Sequence, residues 1–187
     1  MKEFSCFMAE DDRVAMINCS PEDRILVKIK DSILTKNNIE TLTRDYGYDS
    51  FDKCMDAKIV DARIHDMQEK MSNDERRFGR VYLENTKMAA TFQFKQRGES
   101  SICAHETAVM RSIALKYVEH HMIFIPMRVQ DQWFLSVVHP KLKRIQVLNS
   151  YKPLNAAIVP AVRNMVQGLE CYFDHIDADN KKEYSWW

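Results

Sequence analysis

The most constraining feature of this 187-residue chain is an abrupt change of hydrophobic period near residue 121. Upstream, apolar residues recur at helical intervals. Downstream, 122–127, 133–138 and 145–148 are short runs of β-branched, aromatic and aliphatic residues, the signature of strands. Pro140, Lys141, Leu142 and Lys143 separate the last two runs. A hairpin with a short basic loop is therefore expected there.

Around this sheet the pattern is helical. Phe51, Met55, Ile59 and Ala62 share one face of a long helix expected over 50–75, and Val60, Ile64, Met67 and Met71 share roughly the opposite one. Two apolar stripes mean burial on two sides or a covering partner. Shorter helices are expected over 85–94 and 101–120, the second capped by Ser100 or Ser101. Pro153 opens a last helix to about His175, interrupted or restarted at Pro160. Nearer the start, Ser20 and Pro21 mark a turn or helix start, 25–29 reads as a strand, and Thr35 caps a helix through Leu42 that ends at Gly47. Residues 1–23 read as a loose N-terminal extension and 24–187 as the domain. Helices, then a short sheet, then a helix make an α+β domain.

Charge narrows the function classes. Lys plus Arg is 27 and Asp plus Glu is 27, without the basic excess of a nucleic-acid binder or of a protein held on an anionic membrane. No stretch has the roughly 18 apolar residues of a membrane span. The acidic N-terminus lacks the apolar run of a secretory signal. Five cysteines without a C-x-x-C pair suggest neither a disulfide framework nor a zinc ribbon. Free thiols suit a reducing compartment, so cytoplasm or nucleus is expected. Cys171 and His175 have the i, i+4 spacing of two metal ligands, and Cys103, His105, Glu106, His120 and His121 are further candidates. Small core cysteines and surface histidines account for the same residues more simply. Neither a metal nor a cofactor is expected.

The sheet region carries a specific resemblance. Ile123, Ile125 and Pro126, then Gln132-Trp133 with Leu135 and Val137, then Ile145, Val147, Leu148, Asn149 and Ser150 resemble the ubiquitin-like-protein-specific (SUMO-type) cysteine proteases, including their plant and transposon-borne relatives. Upstream, 25–29, Leu34-Thr35, 39–42, 59–62, Tyr82-Leu83 and Phe92 fit the same family, so the similarity covers roughly 24–187. It implies a papain-like (adenain-like) α+β fold. The family has a catalytic His before the Trp and an Asp seventeen positions later, and Gln132 and Asn149 keep that separation.

The departures decide what the resemblance implies. In active members the His is the base for a Cys nucleophile, and the Asp orients the His. The carboxamide of Gln132 has no nitrogen that titrates near neutral pH, and Asn149 lacks the charge that would favour an imidazolium. The family's nucleophile lies farther downstream of the Asp than the thirty-eight residues that follow Asn149 here. Ser185, Trp186 and Trp187 resemble the aromatic stretch that precedes it. The expectation is a C-terminally shortened pseudoprotease with no catalytic residues. It would act through protein partners: a ubiquitin-like modifier, a second copy, or the target of a selfish-element-derived regulator, toxin, antidote or decoy. Loss of the nucleophile helix would bare one sheet face, which another surface would have to cover. Trp133, Trp186, Trp187, Lys141, Lys143 and Arg144 are the expected binding residues. Lys152 and Arg128 extend the basic cluster, and Glu170, Asp174, Asp177 and Asp179 are acids that could face it. The alternative is residual hydrolase activity on a modifier, through a metal or a displaced dyad of Cys103 with His120 or His139.

Overall fold

The computed structural model describes residues 10–43, 55–71, 80–94, 104–150 and 156–176. The chain divides into two compact units, 1–66 and 67–187.

In the first unit, helix α1 (Glu10–Asn18) precedes the antiparallel pair β1 (Ile25–Ile29) and β2 (Ser32–Thr35), then α2 (Lys36–Thr43) and the start of α3 (Ala57–Lys70). The expected strand at 25–29 is present. A helix stands where a loose extension was expected, and its Ile17 packs with Leu26, Val27, Ile29 and Ile59 around buried Leu34, Ile39 and Ala62. Ser20 and Pro21 form a turn, the Arg24 N–H donating to the Pro21 carbonyl. Thr35 starts α2 as expected, but its partner reaches back to it. The Thr35 N–H and hydroxyl both donate to Asn38 Oδ1, at 3.0 and 3.1 Å, the reciprocal arm of a capping box.

Helix α3 is shorter than its apolar pattern suggested. Asp56 caps it, accepting the Lys58 N–H at 2.7 Å, so Met55 and Asp56 lie outside the helix. The same carboxylate accepts the Asn38 side-chain N–H at 2.9 Å. Ala62 and Ile64 represent the two stripes in the interior, whereas Met55 and Met67 are exposed. Phe51 and Gly47 lie outside the described residues.

The second unit holds a four-stranded sheet of order β3-β4-β5-β6: β3 (Val81–Leu83), β4 (Met122–Val129), β5 (Gln132–His139) and β6 (Arg144–Leu148). The hairpin expected from the sequence is β5-β6, and β4-β5 is a second one. Strand β3, too short to show a period, runs parallel to β4. Helices α4 (Thr86–Phe94), α5 (Ala104–Val118) and α6 (Ile158–Phe173) cover one face. Ile123, Ile125, Met127, Phe134 and Val138 from that face meet Phe92, Met110, Ala114, Tyr117, Met165 and Leu169. Asn85 caps α4 by accepting the Met88 N–H. The last helix begins at Ile158. Pro160 occupies its first turn, where a missing N–H costs nothing. Ser100, Ser101 and Pro153 lie outside the described residues.

The tight turn between β4 and β5 is Gln130-Asp131, with Gln130 at φ 55°. A side chain in the left-handed region costs about 1–2 kcal/mol, and glycine gives part of that back in chain entropy. Gln130→Gly should therefore raise stability by roughly 0.5–1 kcal/mol, measured by urea unfolding. The Gln130 carbonyl remains to accept the Arg128 Nε–H.

Candidate functional site

Gln132 opens β5 and Asn149 directly follows β6. Because the two strands pair Leu135 with Leu148, their ends meet. The Gln132 Nε2–H donates to Asn149 Oδ1 at 2.6 Å. Both side chains are half-buried. Two residues singled out by the family resemblance and its seventeen-residue separation are thus joined as donor and acceptor. Both are carboxamides, so the pair is neutral at every ordinary pH. Trp133 is next on β5, opposite Arg128 on β4 and half-buried. Its face of the sheet continues through Phe124, Pro126, Leu135, Val137 and Leu148. Pro126 and Val137 are buried, Phe124 and Leu135 half-buried and Leu148 exposed, so cover on this face thins towards β6.

The basic cluster divides. Lys141, Lys143 and Arg144 are exposed around the β5-β6 loop. Arg128 stands at the other end of β5, donating to the Gln130 carbonyl at 3.0 Å and to Asp131 at 3.1 Å. Sequence proximity had grouped it with the wrong end of the hairpin. The acidic group also changes. Glu170 is buried on α6 and Asp174 is exposed just beyond that helix. Glu170 is therefore no surface partner for the loop. Lys152, Asp177, Asp179, Trp186 and Trp187 lie outside the described residues.

Among the metal candidates, Cys171 is buried and its Sγ–H donates to the Gln167 carbonyl at 3.2 Å. His120 uses Nδ1–H on the Lys116 carbonyl at 2.7 Å. His139 closes β5, at the end opposite Gln132. Cys103 and the His105 side chain lie outside the described residues. Among those described, no three His, Cys, Asp or Glu side chains gather as a metal-binding group, and no helix is long and apolar enough to cross a membrane.

Sequence reasoning missed a buried polar pair. Glu84 follows β3 and is 3% exposed, and Tyr117 on α5 is fully buried. The Tyr117 hydroxyl donates to Glu84 Oε2, while Oε1 accepts the Asn85 N–H at 2.8 Å. Burial, then repulsion from the Glu84 carboxylate, then their hydrogen bond push the Tyr117 hydroxyl far above its ordinary value. Tyr82 stacks beside it, ring centroids 5.5 Å apart, with Lys116 Nζ 4.4 Å above the Tyr82 ring. A glutamate at a strand–helix junction reads locally as surface. Only the tertiary fold reveals its partner.

No family model and no curated protein matches the sequence. Solved structures do. A C-terminal Ulp1 protease domain in complex with Smt3, the yeast ortholog of SUMO, superimposes with a TM-score of 0.58 at 15% identity, over 92% of this chain and 71% of that one. Ulp1 with its catalytic cysteine oxidised to a sulfinic acid gives 0.57 at 15%, and with a sulfenic acid 0.57 at 17%, over the same shares. The fold is that of the Ulp1 protease domain. The α+β, papain-like architecture implied by the family resemblance is therefore present. At this identity the likeness to Ulp1 concerns the fold.

Proposed function

We propose that this chain is a catalytically inactive SUMO-protease-like protein that works by binding a protein partner, a ubiquitin-like modifier being the first candidate. The observation that carries the reading is the Gln132–Asn149 hydrogen bond. The two side chains stand where the resemblance puts the catalytic His and Asp, and they are joined as such a pair would be. A carboxamide cannot accept a thiol proton near neutral pH, so the arrangement keeps a shape without its acid–base chemistry. The sheet beside it carries half-buried Trp133, which has ring surface left to offer a partner. The solved neighbour in complex with a SUMO ortholog makes that modifier class the first to test. A plant or transposon-type origin and a role as regulator, toxin, antidote or decoy belong to the same reading.

Two measurements test it. A SUMO-type modifier carrying a thiol-reactive C-terminus should bind reversibly and form no covalent adduct. An adduct lost on Cys103→Ser or Cys171→Ser would establish a working nucleophile and end the proposal. The second measurement concerns the pair. In the Gln132→His/Asn149→Asp variant, the introduced imidazole should titrate one unit or more above the ordinary value of about 6.5, because the carboxylate favours its charged form. In Gln132→His alone the shift should be much smaller. Proton NMR titration reads both. Equal values in the two variants would mean that the positions are not coupled as the hydrogen bond indicates.

A further inference from the structure

The opposite end of the hairpin has a character of its own. Among the described residues, β6 pairs with β5 along one edge and with no strand along the other. An unpaired edge presents a row of backbone donors and acceptors ready for another strand. Leu142 in the loop is 72% exposed, and Leu148 and Val147 on the strand are 53% and 36% exposed. Lys141, Lys143 and Arg144 are exposed at the start of this edge, and no ion pair among the described residues involves Lys141 or Arg144. Strands commonly protect an edge with an inward charge or a proline. Residues 145–148 (Ile, Gln, Val, Leu) have neither.

We infer that the free edge of β6 receives an extended segment of another protein, alternating apolar and acidic residues, by strand addition. Backbone hydrogen bonds along 144–148 supply the common affinity, and alternate side chains supply the selection. The apolar positions rest beside Ile145 and Val147, which share the face of β6 opposite Arg144. The acidic ones meet Lys141, Lys143 and Arg144. A second copy of this chain is the poorer occupant: 140–148 contains no acidic residue, so an identical strand brings further cations and no counter-charge. The basic end of this edge is seven residues along β5 from Gln132, roughly 23 Å at the rise of a strand. The other end of the edge, Leu148, adjoins Asn149, but strand addition asks nothing of the Gln132–Asn149 pair itself.

The test uses the full chain and a fluorescent ten-residue peptide of alternating Val and Asp. Anisotropy should show binding that weakens as salt rises, and NMR should place the shifted amides at 144–148. Lys141→Glu with Arg144→Glu should weaken binding tenfold or more while the melting temperature holds. The same peptide with alternate amides N-methylated cannot form the strand bonds and should not bind. Equal binding of the methylated and unmethylated peptides, or no loss in the charge-reversed variant, would overturn strand addition to this edge. If the 144–148 amides move on diluting the protein alone, the edge belongs to a second copy and the inference fails. Modifier binding by the unaltered full chain, measured beside peptide binding, separates this failure from failure at the Gln132 end.

Discussion

Replacing Gly168 with alanine should be among the most destabilising single-methyl additions this protein can receive. Gly168 lies on α6 where that helix crosses α4, and the two pack closely along their length. A Cβ built on Gly168 would come 2.0 Å from the Phe92 carbonyl oxygen and 2.7 Å from its carbonyl carbon and Cα. These are backbone atoms of α4, so no rotamer change can make room. The helices would have to separate. Phe92 is itself fully buried and meets Tyr172 edge-to-face at 5.0 Å. Separation therefore loosens the aromatic layer that covers Ile123, Ile125 and Met127. Overpacking of this kind costs typically 1–3 kcal/mol and occasionally more, and with backbone on both sides about 3 kcal/mol or above is expected. For a chain of this size that lowers the melting temperature by about 6–12 °C. Val159→Ala, on the exposed side of the same helix, should change stability by less than about 0.5 kcal/mol. Calorimetry on the two variants reads the contrast directly. Equal small effects would mean that α4 and α6 do not meet at this glycine.

How much of this was legible in the sequence depends on whether the information was local. The β5-β6 hairpin was legible because period-two runs and a four-residue loop encode it within twenty residues. Gln132 and Asn149 were legible only through the family resemblance, and the hairpin register explains why its seventeen-residue separation brings them together. Pro160 was readable as either an interruption or a restart, and only the structure, with the helix beginning at Ile158, puts it in a first turn. Other features depend on distant partners. The Met55 and Met67 stripes suggested a longer buried helix, but periodicity does not reveal that Asp56 will cap it. Arg128 looked close to the lysines in sequence, although a strand of eight residues carries the two groups to opposite ends. Glu170 looked like a surface acid, but the helix is buried on every side from Gly168 to Phe173. Gly168 and the pair Glu84–Tyr117 leave no local trace, since each exists only once two distant elements have packed.

Tyr117→Phe should cost about 1.5–3 kcal/mol at neutral pH, the range for a hydrogen bond to a buried charged group. The substitution preserves the ring and its contacts with Phe92 and Tyr82. What it removes is the donor to Glu84 Oε2, leaving that buried oxygen to lose the partner it kept on leaving water. The Asn85 N–H still serves Oε1, which keeps the cost below that of an isolated buried charge. Pairing the substitution with Glu84→Gln should recover part of the loss, because a neutral amide demands less of its surroundings. The wild-type pair also fixes a direction with pH. Burial and the neighbouring carboxylate raise the folded-state value of Tyr117 above the unfolded one of about 10. Above pH 10 the unfolded chain has given up a proton that the folded chain retains. Unfolding then becomes easier by about 1.4 kcal/mol per pH unit from this group, and the stability present below pH 10 is lost progressively as pH rises. Tyr117→Phe should remove that contribution, so the variant starts less stable at pH 7 and its stability falls less steeply above pH 10. Urea unfolding at pH 7, 9, 10 and 11 measures both slopes. Parallel slopes in the two proteins would mean that the hydroxyl keeps no raised value in the fold and that Glu84 finds its partner elsewhere.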